Sequence, residues 1–178
     1  MFVQTTKYTS MQKEKSLCPC CGANLNGRDE RISKGIIVNL VKFREQALKS
    51  IVLRNLNKVH LAQDLNLTNN QYNNFQKLRY HGLIAHYKNP ITKEYESGHW
   101  LLTKRGNRFA KNEIAISKKV VIWRNKIVER SEEIVKMSDV WKDKDEPFWY
   151  KHDDFGFDFE DANDYKSDDD QDNQLELF

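Results

Sequence analysis

Apolar residues recur with a helical period along the first well-patterned stretch of this 178-residue chain. They alternate with lysines and arginines that fall on the opposite side of a helical projection. This spacing predicts an amphipathic helix that begins at Ser33 or Lys34 and ends near Asn55 to Asn57. The apolar positions are Ile36, Ile37, Leu40, Val41, Phe43, Ala47, Leu48, Ile51 and Val52.

Two shorter helices are predicted next, separated by a turn. The first covers residues 60–65. Thr68 is a favourable N-cap for the second, because its hydroxyl can accept a free backbone N–H. That second helix is expected to run from Asn69 to Tyr80, and Gly82 suits the left-handed conformation that ends many helices.

A pair of antiparallel strands is predicted after these helices, at residues 83–87 and 99–102, joined by a polar loop that starts at Asn89 and reaches Gly98. Thr103 then caps a helix that continues to about Asn112. Residues 120–131 are rich in β-branched side chains and predict a second hairpin, although a helix is the alternative. A last short helix is expected at residues 132–141.

Charge is distributed very unevenly along the chain. Residues 153–178 hold eleven acidic residues and one lysine, whereas residues 1–152 hold 28 lysines and arginines against 15 acidic residues. A basic body favours a polyanionic partner such as nucleic acid. The acidic end is too charged and too poor in aliphatic residues to form a core, so we expect it to be disordered.

Several classes of protein are disfavoured by the sequence. No apolar run is long enough to cross a bilayer, and the N-terminus lacks the pattern of a secretory signal, so we expect a cytoplasmic protein without a membrane partner. The sequence contains no P-loop, nucleophile elbow or zinc-protease motif. The body carboxylates Asp64, Glu94, Glu96 and Glu113 are nuclease candidates only by default, so we do not expect an enzyme.

Residues 61–112 resemble the winged-helix family of DNA-binding proteins. The resemblance lies in the ordered words LAQDLNLT (61–68), FQKL (75–78), HGLI (81–84) and LTKRG (102–106). The resemblance implies a helix-turn-helix with a β-wing. Together with the extra C-terminal hairpin and the disordered acidic tail predicted above, the expected fold is mainly α with a small β part (α+β class). The expected units are a cysteine-containing segment (1–33), the winged helix (34–112), an extension (113–152) and the tail (153–178).

The predicted helix from Asn69 to Tyr80 would be the recognition helix. Projected at 100° per residue, Gln71, Tyr72, Phe75, Leu78 and Arg79 face inward, whereas Asn70, Asn73, Lys77 and Tyr80 face outward. Amide side chains can pair with the edge of adenine, and lysines can contact phosphates. The candidate DNA-binding residues are Thr68, Asn69, Asn70, Asn73, Lys77, Tyr80, Lys88 and Lys93. A winged helix used only for protein contacts is the alternative.

The cluster Cys18-Pro19-Cys20-Cys21-Gly22 resembles one half of a zinc ribbon, with Cys18, Cys20 and Cys21 as candidate metal ligands. A structural zinc site needs four ligands, and a second cysteine pair is missing. The remaining ligands would come from His60, His81, His86 or His99, or from a second subunit in a homodimer. A metal-free knuckle is the alternative.

The chain ends in Gln174-Leu175-Glu176-Leu177-Phe178, which closely resembles the peptide that docks bacterial proteins on the DNA polymerase sliding clamp. The resemblance implies that Gln174, Leu175, Leu177 and Phe178 bind the clamp. The small departure is Glu176, where aspartate or serine is more usual. The acidic tails of bacterial single-stranded DNA-binding proteins are similar too, but the body lacks the pattern of a five-stranded barrel. A tail with no function is a further alternative.

Two functions follow from these features. The first is a bacterial or phage protein that binds duplex DNA, acts in replication or transcription regulation, and is tethered to the sliding clamp. The second is an adaptor or inhibitor of the replication machinery that does not bind DNA and uses the winged helix for protein contacts.

Overall fold

The computed structural model describes residues 27–141 and 156–160, and these residues form a mixed helix and sheet structure, as the α+β prediction expected. The helices are α1 (Lys34–Arg54), α2 (Leu61–Asp64), α3 (Asn69–Phe75), α4 (Lys77–Tyr80), α5 (Lys104–Ala110) and α6 (Met137–Val140). The strands are β1 (Arg28–Arg31), β2 (Val59–His60), β3 (Ile84–Lys88), β4 (Tyr95–Leu102), β5 (Ile116–Ser117), β6 (Lys119–Trp123), β7 (Lys126–Arg130) and β8 (Ile134–Val135).

Helix α1 is the central element of the main core. Its apolar side is buried against α3, α5 and the strands β2 and β4. The helix ends where Asn55 adopts the left-handed conformation, with φ of 51°. The predicted bounds are therefore confirmed, but Val52 was wrongly placed on the buried side, since 59% of its surface is exposed.

An antiparallel sheet in the order β2-β4-β3 packs on these helices. Phe75 joins helix and sheet, because its ring centroid lies 5.2 Å from that of Phe43 and 5.6 Å from that of Trp100. Strand β4 begins at Tyr95 and not at His99, so the connecting loop is shorter than predicted. The first half of β4 is exposed or half-buried on both faces, and it therefore lacks the apolar alternation that reveals a strand.

A second sheet has the order β1-β6-β7 and contains the hairpin predicted within residues 120–131. Strand β1 precedes α1 in the chain, yet it pairs with β6 along its whole length. Val120, Ile122 and Ile127 form a small second core with Tyr80 of α4. Segments from both sides of residues 34–112 thus build one sheet against the end of α4.

The prediction of a helix at residues 132–141 is wrong for most of this range. Residues Ile134 and Val135 form β8, which pairs with β5, and only Met137–Val140 are helical. The backbone explains the difference, because the Lys118 N–H donates to the carbonyl of Glu133 at 2.8 Å. This bond draws the segment into a β-ladder.

Residues 156–160 lie within the stretch that was predicted to be a disordered acidic tail, and for these residues the prediction is wrong. Phe159 is only 5% exposed and belongs to the main core, and Phe157 is partly buried against that core. The Lys104 N–H at the start of α5 donates to the carbonyl of Glu160 at 2.9 Å. Aromatic side chains thus anchor this part of the acidic sequence to the body.

None of the helices within residues 27–141 is long and apolar enough to cross a membrane.

Candidate nucleic-acid interface

Helix α3 presents a row of amide side chains on its outer side. Thr68 and Gln71 form a capping box: the Gln71 N–H donates to the Thr68 hydroxyl at 3.4 Å, and the Thr68 N–H donates to Gln71 Oε1 at 3.1 Å. Phe75, which is fully buried, fixes the inner side of the helix. Asn70 and Asn73 are exposed, as the projection predicted, and Asn69, which the projection left near the border, is exposed as well.

The predicted recognition helix is interrupted at Gln76, and this changes which side chains lie outside. Tyr80 was predicted to face outward but is 3% exposed, because it packs on the β1-β6-β7 sheet. Tyr72 was predicted to face inward but is 45% exposed. A uniform rotation of 100° per residue holds only within a continuous helix, which accounts for Tyr80 but not for Tyr72, since Tyr72 lies within α3. Tyr80 is therefore not part of the exposed face.

The two cations of α4 are engaged inside the protein. The Lys77 ammonium lies 3.1 Å from the carboxylate of Glu30, which is a buried residue of β1. The Arg79 guanidinium lies 4.9 Å from the centre of the Tyr80 ring and donates to its hydroxyl at 3.1 Å. Lys77 was predicted to face solvent beside Asn73, but it bridges α4 to the second sheet instead.

A cation that the sequence reasoning missed lies beside α3. The Lys42 ammonium of α1 donates to Gln71 Oε1 at 3.2 Å, and the Asn39 amide donates to the Gln71 carbonyl at 2.7 Å. These two residues are three positions apart and thus share one side of α1. Their polar character within an apolar helix was the available signal. They attach α3 to α1 and supply positive charge near its first turn.

The hairpin of β3 and β4 is held by Asn89. Its N–H donates to the Glu94 carbonyl at 2.8 Å, and its side-chain oxygen accepts the Ile91 N–H at 2.9 Å. Its side-chain amide donates to Glu96 at 2.9 Å, and Lys58 pairs with the same carboxylate. Hydrogen bonds from Lys58 first, and Asn89 second, hold the pKa of Glu96 below its usual value.

Two lysines of this hairpin are exposed. Lys88 lies at the end of β3, with its ammonium 5.7 Å from the centre of the Tyr95 ring. Lys93 adopts a left-handed conformation with φ of 60° in the loop that Asn89 stabilises. Both were predicted as phosphate contacts. Their positions on a well-bonded hairpin would present positive charge with little loss of conformational freedom.

The histidines considered as zinc ligands occupy three separate places. The rings of His60 and His99 face each other across β2 and β4 with centroids 4.7 Å apart. His86 stacks on Trp100 at 3.7 Å, and His81 is buried after α4. Across residues 27–141 and 156–160, no three His, Cys, Asp or Glu side chains are grouped to hold a metal.

The histidine at the end of α4 has an altered protonation equilibrium. Burial, and then the charges of Arg130 and Arg105, lower the pKa of His81 from 6.5 to about 4. Its Nε2 atom has no hydrogen-bond partner in the part of the chain that the structure describes. A neutral, packed ring at neutral pH fits a structural role between α4 and the β1-β6-β7 sheet.

Three of the four body carboxylates named as default nuclease candidates make other contacts. Asp64 accepts the His60 N–H at 2.7 Å, and Glu113 pairs with Lys111 at 2.9 Å. Glu96 stabilises the hairpin, and Glu94 is exposed in its loop.

The predicted metal ligands Cys18, Cys20 and Cys21, and the predicted clamp-binding residues Gln174, Leu175, Leu177 and Phe178, lie outside the described residues. Comparisons of the chain with protein-family models, with curated proteins and with solved structures gave no match.

Proposed function

We propose that this chain is a winged-helix protein that binds duplex DNA through α3 and the β3–β4 hairpin. The observation that carries the proposal is the exposed amide face of α3, formed by Asn69, Asn70 and Asn73. Asparagine can donate to and accept from one base edge at the same time, which suits adenine in the major groove.

The order of the elements supports this proposal. Helix α1, strand β2, helices α2, α3 and α4, and then the antiparallel pair β3 and β4 follow one another, an order compatible with a winged helix. In such an arrangement the hairpin serves as the wing, and its exposed Lys88 and Lys93 would contact phosphates beside the groove. The basic character of the body would strengthen this binding at low salt.

The second part of the proposal is a tether to the bacterial polymerase sliding clamp. It is supported by the sequence of the last five residues, Gln174 to Phe178. Apolar side chains at the end of an extended acidic segment can enter a hydrophobic pocket of a partner. Such a tether would raise the local concentration of the protein at the replication fork. This would suit a bacterial or phage protein that acts in replication or transcription regulation.

A gel shift with duplex DNA tests the first part. The variant Asn69→Ala/Asn73→Ala should lose at least about tenfold in affinity, because two amide contacts to bases are removed. Gln46→Ala in α1 is the matched control, since it removes a half-buried amide that is not among the proposed base contacts. Unchanged binding by the double variant, with an unchanged melting temperature, would contradict the role of α3.

A pull-down with the sliding clamp tests the second part independently. Deletion of Leu177 and Phe178 should abolish capture while leaving the gel shift intact. Equal capture by the shortened chain would remove the clamp from the proposal.

The alternative function is an adaptor that binds protein through the α3 face. It is favoured by one observation: Lys77 and Arg79 of α4 make contacts within the protein, and α3 itself presents amides and Tyr72 but no cation of its own. An adaptor would be captured by the clamp through its tail but would not shift duplex DNA at any salt concentration.

A further inference from the structure

The hairpin of β6 and β7 has an unusual tip. Trp123 and Lys126 are paired across the strands, and the connection consists of Arg124 and Asn125 alone. Both connecting residues have positive φ, 48° for Arg124 and 65° for Asn125. A two-residue hairpin loop of this kind normally contains Asn-Gly or Asp-Gly, since few other residues tolerate that conformation.

An arginine at this position carries a conformational cost that asparagine or glycine would largely avoid. The side chain is exposed, and its guanidinium lies 4.4 Å from the centre of the Trp123 ring. The chain thus keeps a cation, stacked on an aromatic ring, at a strained apex. Residues held in costly conformations cluster at functional sites, so this exposed tip is a candidate contact site.

The face of the sheet that carries Trp123 is turned away from Tyr80 and is called the outer face; Lys119, Val121 and Trp123 are half-buried on it. Val120 and Ile122 point toward Tyr80 and the core, so Lys119, Val121 and Trp123 alternate to the opposite side. The register places Arg31 beside Lys119 and Lys126 beside Trp123 on this outer face.

Cations outnumber acidic groups on this outer face. Among the described residues, the register places Arg31, Lys119 and Lys126 on this face together with Asp29 and Glu129, and Arg124 adds a fourth cation at the adjoining tip. The carboxylate of Asp29 is shared between Lys119 at 3.4 Å and Arg31 at 4.0 Å. The positive charge at the hairpin tip, from Arg124 and Lys126, lies next to the indole.

We propose that the outer face of the β1-β6-β7 sheet, centred on Trp123 and Arg124, is a contact site for single-stranded nucleic acid. An indole offers a surface on which a base stacks, and neighbouring cations bind the backbone phosphates. This contact is separate from the duplex contact proposed for α3.

The test measures the binding of a fluorescently labelled oligo(dT) of about 12 nucleotides, a length within the usual range of such sites, to the full chain by anisotropy. Trp123→Ala should weaken binding by about 5- to 150-fold, the range expected for loss of one stacked base. Arg124→Asn should weaken binding as well and lower the slope of log affinity against log salt by about 0.7, the value for one phosphate contact on a single strand.

Arg124→Asn also controls for folding. Asparagine is favoured at positive φ, so this variant should melt at the same temperature as the parent chain or higher. Trp123→Phe keeps an aromatic ring and should bind oligo(dT) with an affinity between those of the parent and Trp123→Ala. Loss of binding in a well-folded Arg124→Asn protein cannot be assigned to a damaged hairpin.

Two results would overturn the proposal. The first is equal oligo(dT) affinity in the parent, Trp123→Ala and Arg124→Asn proteins. The second is displacement of oligo(dT) by poly-L-glutamate at equal charge concentration with the same efficiency in the parent and Trp123→Ala proteins, which would indicate binding by charge alone and no stacking. The duplex gel shift of Arg124→Asn separates this site from α3, because failure of either site leaves the other measurement unchanged.

Discussion

Lys77 of α4 and Glu30 of β1 form an ion pair with 3.1 Å between Nζ and Oε2. The Glu30 side chain is 6% exposed, and its other oxygen lies 2.7 Å from Arg28 Nε. The pair therefore connects the helical part of the molecule to the β1-β6-β7 sheet across a distance of 47 residues in sequence. Lys77, which was predicted to contact DNA, thus has a partner within the protein.

Removal of Lys77 should consequently reduce stability. In Lys77→Met, Glu30 keeps Arg28 but loses one charged donor, and we expect the free energy of unfolding to fall by about 1–2 kcal/mol. Urea unfolding measures this change. The matched control is Lys49→Met, which breaks the exposed i,i+4 pair with Glu45 and should cost about 0.5 kcal/mol or less. Equal losses in the two variants would contradict the larger contribution expected from the pair of Lys77 and Glu30.

This pair also shows where the sequence was informative and where it was not. The period of α1, the Thr68 and Thr103 caps and the turn at Gly82 depend on neighbouring residues, and all were predictable. The pairing of β1 with β6 joins residues about 90 positions apart, and no local pattern encodes it. For that reason the inward turn of Lys77 and Tyr80 toward that sheet could not be derived from a helical projection. The exposure of Asn69, Asn70 and Asn73 required only α3 itself.

The first turn of α5 requires a glycine at position 106. A Cβ atom at this position would lie 1.9 Å from the Leu83 carbonyl oxygen, so α5 and the backbone just before β3 could not pack at their present distance. Gly106→Ala should destabilise the protein by about 3 kcal/mol or more, because backbone must move. The control is Gly35→Ala in α1, where a Cβ meets nothing within 4 Å. It should raise stability by about 0.5–1 kcal/mol. Thermal or urea unfolding of both variants tests the contrast.

His81 should make stability depend on pH. Its pKa is about 4 in the folded protein against a usual 6.5, so the unfolded chain takes up the proton first as the pH falls. The free energy of unfolding therefore falls as the pH is lowered from 6.5 to 4. Below pH 4 the His81 ring is protonated in both states, and it causes no further loss. Between pH 7 and pH 5 the loss should be about 2 kcal/mol.

The variant His81→Gln isolates this effect from the titration of carboxylates. Urea unfolding at pH 7 and pH 5 should give a difference smaller by about 2 kcal/mol in the variant than in the parent. The same pH dependence in both proteins would show that the ring does not remain neutral on folding.

Phe159 tests whether the acidic segment is attached to the body. Its ring is buried in the main core next to Phe157, with ring centroids 5.1 Å apart. Phe159→Ala should lower the free energy of unfolding by about 3 kcal/mol, the cost of deleting a large buried ring. Asp158→Ala is the control, because this neighbouring side chain is exposed and should change stability by about 0.5 kcal/mol or less. If both variants unfold at the same urea concentration as the parent, residues 156–160 do not pack on the body in solution.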